Sequence, residues 1–203
     1  MENRILIIGD GLLGEAGEAA FRCSEMLLCA EPNRPMQFSI NAPVLLSISQ
    51  LFSRASSDII GKKAGRIVLG LGIDDLKRER GDGSLVAAHY RELVEELLKK
   101  TQSGLFLVTV PRDMLPESDG QVDLLNDSIR GLVDLDPERV NVFDWEKHVE
   151  DFKEKQEERG KFGRSLFSED AKPSSLCITL LSMFLEDCIL KELKKKRSYH
   201  ESV

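Results

Sequence analysis

Apolar positions along this chain fall into two patterns. Residues 4–8, 37–40, 66–71, 105–110 and 140–143 are short and nearly continuous in aliphatic or aromatic character, without polar alternation. Runs of that kind mark strands covered on both faces, and five of them, each followed by a helix or loop, predict a parallel sheet. The fold class expected is therefore α/β, a three-layer α/β/α sandwich around a five-stranded parallel sheet. The second pattern is helical. Over residues 84–100, Val86, Tyr90, Leu93 and Leu97 recur at three- and four-residue spacing, Asp82 and Gly83 mark the turn before them, and Lys99 and Lys100 suit the negative end of the helix dipole. A last helix is predicted from Pro173, carrying Leu176, Leu180 and Phe184 inward and ending in LKKKRS, with residues 194–203 expected as a frayed tail of a single domain. Residues 146–164 hold six acidic and six basic side chains, which reads as a solvated helix followed by a loop at Gly160 and Gly163.

Composition narrows the function classes. The chain has 203 residues, 41% hydrophobic and 31% charged, which suits one globular core. Lys and Arg number 28 against 35 Asp and Glu, and a formal charge of −7 disfavours nonspecific attraction to nucleic acid or an anionic membrane. Residues 35–53 carry no charge, but two Pro, two Gln and four Ser exclude a membrane span and indicate a core strand and helix. The apolar run before Gly9 is too short for a signal peptide, so a cytoplasmic location is expected. Cys23, Cys29, Cys177 and Cys188 fit neither a CxxC pair nor a zinc-ribbon spacing and read as reduced core residues.

The first turn carries the chemistry. Gly9-Asp10-Gly11-Leu12-Leu13-Gly14 satisfies GxGxxG after a strand, a pattern that can cradle a dinucleotide pyrophosphate. That site also needs an acidic residue closing the second strand about 20 positions later. Glu31 has the offset but precedes Pro32 and Pro35, and the strand itself closes on Asn41. A nucleotide-binding module stays as an alternative; no cofactor is expected.

Taken with three further blocks, the same turn resembles the SGNH (GDSL) hydrolase family. ILIIGDGLL is similar to the family's strand ending in Gly-Asp-Ser-Leu, with Gly11 at the serine position. SINAPVLLS resembles the second block, with Asn41 matching and Leu46 where an oxyanion-hole Gly is expected. IVLGLGIDDL resembles the Gly-x-Asn-Asp block, with Gly72 and Asp75 matching and Asp74 in place of Asn. SEDAKPSS resembles the Asp-x-x-His-Pro block, with Glu169 at the Asp position, Lys172 at the His position and Pro173 matching. The resemblance spans about the whole chain and implies a flavodoxin-like strand order, 2-1-3-4-5, with the site at the C-terminal strand ends.

It also implies a remnant pocket formed by Asp10, Gly11, Leu46, Asp74, Glu169 and Lys172, with no catalytic residue expected. Glycine offers no oxygen for attack on an acyl carbonyl, and Asp74 would set a negative charge where a donor should stabilise another. Lys172, with an ordinary pKa of about 10.4, would need its pKa lowered by roughly three units to act as a base. The expectation is instead an ammonium bridging Glu169 and Asp74, set against the plainer reading of a solvated loop pair. The leading expectation is a domain that has lost serine acyl hydrolysis and binds a small ligand or a protein, not nucleic acid or membrane. The alternative is a divergent hydrolase of esters or phosphoesters using Asp74, Glu169 and Lys172. Asp10, Asp74, Asp75 and Glu169 could also converge on Mg²⁺, although no metal is expected. Ser47, Ser49, Ser168 and Ser174 are substitute hydroxyls without a neighbouring histidine; His89, His148 and His200 read as surface or capping residues, and Trp145 as packing or a cleft wall.

Overall fold

The computed structural model describes residues 3–43, 45–78, 81–160, 165–168 and 170–200, with side chains for all of these except 119 and 195–200. Five strands, β1 (Arg4–Gly9), β2 (Gln37–Asn41), β3 (Arg66–Gly70), β4 (Gly104–Val108) and β5 (Val140–Phe143), form one parallel sheet in the order β2-β1-β3-β4-β5. The predicted fold class and strand order are those observed. The central strands are buried almost throughout, as unbroken apolar runs require, whereas β2 at the edge alternates exposed and half-buried positions. The register sets Ile8 beside Leu69 and Gly9 beside Gly70, so β1 and β3 end level with each other.

Helices α1 (Glu18–Ala30), α2 (Ile48–Ser53), α3 (Ala55–Asp58), α4 (Ile73–Arg78), α5 (Gly83–Lys100), α6 (Asp119–Gly131), α7 (Trp145–Glu158) and α8 (Ser175–His200) connect and cover the strands. α1 packs against α8, and α5 against α6 with α2 beside it. The predicted inward residues Val86, Tyr90, Leu93 and Leu97 of α5 are all buried, and the Tyr90 hydroxyl donates to the Leu69 carbonyl at 3.1 Å.

Three details differ from expectation. The last helix starts at Ser175 rather than Pro173, because Pro173 pairs with Phe167 in an isolated bridge and the Ser174 hydroxyl caps the helix by accepting from the Cys177 N–H at 3.3 Å. At its other end α8 runs on through the expected frayed segment to His200, since no Gly or Pro after residue 173 interrupts it. Cys23 and Cys177 are core residues, but Cys29 is exposed and Cys188 half-buried; all four are free thiols. Among the described residues no helix is long and apolar enough to cross a membrane.

Candidate functional site

The chain leaves β1 through Asp10, whose backbone N–H donates to the Gly70 carbonyl at 3.0 Å and so continues the β1–β3 pairing one residue past the strand. Its side chain is almost fully buried and ties three segments together. Oδ1 accepts from the Leu12 N–H at 3.0 Å, capping a short 3-10 turn, while Oδ2 accepts from Gly72 N–H at 2.7 Å and Asp74 N–H at 3.1 Å. Burial pushes the Asp10 carboxyl up to about 7, the neighbouring Asp74 charge adds to this, and the three N–H donors pull it back down.

Gly11 follows, half-buried, and faces the same segment. A Cβ at this position would stand 3.1 Å from Asp74 Oδ1 and 3.7 Å from Ile73 Cγ2. Asp74 itself is only 7% exposed. Among the described residues its carboxylate accepts no hydrogen bond and joins no ion pair, and its oxygens keep contact with solvent. Gly14 completes the turn at φ +83°, a conformation that strains any side chain, and a Cβ there would run into Ile178 of α8.

Asp75, next in α4, holds the loop after β2. Both of its oxygens accept from the Ile48 N–H, at 3.2 and 3.1 Å, at the start of α2, whose Ser47 and Gln50 form a capping box. Arg78 donates to the Leu45 carbonyl, fixing an exposed leucine in the left-handed region. Leu46 is buried in the core. Its backbone therefore lies in a loop tied to α4, and its side chain packs inward.

Asp10, Gly11 and Asp74 thus lie together. Lys172 behaves differently from its expectation: its ammonium is exposed, 4.0 Å from Glu15, and makes no ion pair with Asp74. A lysine at the surface gains more from hydration than from crossing to a carboxylate in a desolvated turn. Glu169 lies outside the described residues.

Substitute hydroxyls are committed to structure. Ser47 caps α2, Ser168 accepts from the Lys172 N–H at 3.2 Å, and Ser174 caps α8, while Ser49 is exposed. His148 stacks on Trp145 and Phe184, and burial holds it below its ordinary pKa; Trp145 is packing between α7 and α8. His89 on α5 buries Nδ1 without a partner. No serine–histidine hydrogen bond exists among the described residues, and none of their His, Cys, Asp and Glu side chains form a group of three able to hold a metal. The turn also opposes a dinucleotide: the Asp10 carboxylate already occupies the N–H groups of Leu12, Gly72 and Asp74, and α1 opens only at Glu18, with acidic residues at its entrance.

A second charged cluster escaped the sequence reading. Arg130 of α6 donates to both Asp144 oxygens at 3.0 Å and to Glu146 Oε2 at 2.6 Å, and Arg112 lies 3.3 Å from Glu146 Oε1. Burial raises Glu146 against the two arginines; burial also acts to raise Asp144, but the Arg130 hydrogen bond prevails and lowers it. Only the residue types signalled this cluster, because its members are spread over three connections.

No protein-family model matches this sequence, and no curated protein is similar to it in sequence. Solved structures are similar over nearly the whole chain. A putative GDSL-like lipase from Parabacteroides merdae has a TM-score of 0.72 at 14% identity, covering 91% of this chain and 94% of that one. An acetylxylan esterase from Geobacillus stearothermophilus has a TM-score of 0.71 at 16% identity, covering 94% and 93%. The acetyl xylan esterase AlAXEase has a TM-score of 0.68 at 16% identity, covering 92% and 99%. At such identities the likeness establishes the fold alone, an SGNH-like α/β arrangement.

Proposed function

We propose that this chain is an SGNH-type domain without serine acyl hydrolysis, which works by binding a ligand at the end of β1 and β3. The observation that carries the reading is the pairing of Gly11 with Asp74. The position that resembles the family nucleophile holds no hydroxyl, and the nearest polar atom to its absent side chain is a carboxylate oxygen. An acyl oxyanion forming there would meet a negative charge where esterases supply a donor, forfeiting roughly 3–4 kcal/mol of stabilisation before any repulsion is added. Lys172 stands in solvent beside Glu15, without a serine to activate. In the Geobacillus esterase, a serine-to-alanine and an aspartate-to-alanine exchange are catalytic mutants. The serine-like position here is already empty of a nucleophile.

Purified protein incubated with p-nitrophenyl acetate and p-nitrophenyl butyrate is expected to turn over neither faster than the Asp74→Asn variant. Saturable turnover that disappears in Asp74→Asn and persists in a surface control, Glu150→Gln, would show a carboxylate-driven hydrolase and sink the reading.

A further inference from the structure

Strand β2 pairs only with β1 and leaves its other edge open. The Gln37 N–H donates to the Asn3 carbonyl at 2.9 Å, so by alternation along the ladder residues 37, 39 and 41 spend their backbone groups on β1. Those of Phe38 and Ile40 therefore point away from the sheet. A row of unpaired strand groups is a template for another extended chain. The two faces beside this edge differ. Gln37, Ser39 and Asn41 set polar side chains on one face, while Phe38 and Ile40 set apolar ones on the other, half-buried against the core.

Along the polar face runs a groove of three adjoining hollows, of about 280, 420 and 360 Å³. Arg4 and Gln37 line the first two, and Ser39 and Lys62 the second and third. Its charges are unequally matched. Among the described residues neither Arg4 nor Lys62 joins an ion pair, and Arg4 Nε donates only to the neutral Gln37 Oε1, at 3.0 Å. Asp58, at the far end, is already engaged by Arg54 at 3.5 Å and by the Ser57 hydroxyl at 2.8 Å. On a chain of formal charge −7, this edge thus presents cations in search of carboxylates.

We infer that β2 docks an extended peptide of alternating acidic and β-branched residues as a sixth strand. Its backbone pairs with Phe38 and Ile40, its carboxylates reach Arg4 and Lys62 over the polar face, and its apolar side chains extend the surface of Phe38 and Ile40. A second copy of the chain fits less well. Antiparallel pairing of two β2 strands about Ser39 brings Lys62, which shares both its hollows with Ser39, toward its own copy. The surface lies along β2, apart from the turn after β1, so ester turnover bears on neither outcome.

The test is fluorescence anisotropy of a labelled acetyl-EVEVEVE-amide peptide titrated with the full chain at low ionic strength. Saturable binding is expected, with the matching KVKVKVK peptide at least about tenfold weaker. Arg4→Glu and Lys62→Glu, both at exposed positions, are each expected to weaken the acidic peptide about three- to tenfold. Methylating the backbone nitrogens of every glutamate, or of every valine, is expected to abolish binding in one of the two peptides, because only one set of N–H groups faces β2. Amide exchange at Phe38 and Ile40 slows on binding, whereas Ser39, bonded to β1, is unchanged. No saturable binding, equal affinity for the lysine peptide, undiminished binding in both folded variants, tolerance of both methylated peptides, or unaltered exchange at Phe38 and Ile40 would overturn the inference. So would a dimer seen by sedimentation velocity without peptide and with Phe38 and Ile40 already protected, since the edge would then belong to a second copy.

Discussion

Asp10 shows how one side chain both builds the turn and limits its chemistry. Its three contacts are all donors, at 2.7 to 3.1 Å, so the geometry suits a carboxylate, while burial and Asp74 favour the protonated form and hold its pKa at about 7. Because this pKa lies above the ordinary carboxylate value of 3.8, the folded protein holds a proton that the unfolded chain has released across roughly pH 4 to 7. The stability contributed by Asp10 is therefore complete below the unfolded value and is lost as pH rises through the folded one, by at most about 1.4 kcal/mol per pH unit. Urea midpoints of the unaltered protein and Asp10→Asn, compared from pH 4 to 8, are expected to show the advantage of aspartate shrinking with rising pH. An advantage that grows with pH would mean that the three N–H donors outweigh desolvation. The identity of this residue and its turn were legible in the sequence, since Asp-Gly after an apolar run is a local signal. Its partners at Gly72 and Asp74 were not, because they lie on another strand's connection and only the register of β1 and β3 brings them level.

At the level of elements, the strands were readable to within two residues because apolar continuity is a property of the segment itself. The uncharged run 35–53 was legible as a strand and a helix, which β2 and α2 supply, but the short helix α4 was not distinguished, since it is stabilised from outside. Asp75 reaches across from α4 to cap α2, and Ser47 with Gln50 completes a box whose local spelling was present but lay in an uncharged run without clear periodicity. The same dependence on distant partners explains the unforeseen cluster joining α6 to the start of α7. Glu146 has a side chain only 5% exposed and relies on Arg130 and Arg112. Removing a partner from a buried carboxylate costs several kcal/mol when the site is dry, but Arg130 is 37% exposed and water will enter, so Arg130→Met is expected to cost about 1–3 kcal/mol. Adding Glu146→Gln should recover part of that loss, because the orphaned charge is gone. Chemical denaturation of the two single variants and the double variant measures the coupling; a change under about 0.5 kcal/mol for Arg130→Met would mean the cluster is ornamental to stability.

Across the molecule, the order β2-β1-β3-β4-β5 puts the β1 and β3 ends at the centre of one sheet edge, where open α/β sheets collect their ligands. Proteins at 14–16% identity share this frame, so the frame is tolerant of nearly every side chain except those that pattern it. The turn after β1 is braced by the far end of the chain: Gly14 abuts Ile178 of α8, and Arg22 of α1 donates to Thr179 at 3.0 Å. The α8 helix then continues along the core through Leu181, Leu185, Ile189 and Leu193, all buried. The only tryptophan, Trp145, packs against Phe184 of that helix at a ring separation of 5.3 Å. Release of α8 should thus expose the indole, loosen α1 and free the β1 turn in one event. Urea unfolding followed by Trp145 fluorescence and by far-ultraviolet circular dichroism is expected to give a single coincident transition. A fluorescence midpoint at clearly lower urea than the dichroism midpoint would mean that α8 detaches first, and the turn would then be held by β1 and β3 without its brace. Under that outcome Leu185→Ala, which empties about three carbons' worth of core, would lower the fluorescence midpoint alone; under the expected one it lowers both together, by the equivalent of about 2–5 kcal/mol.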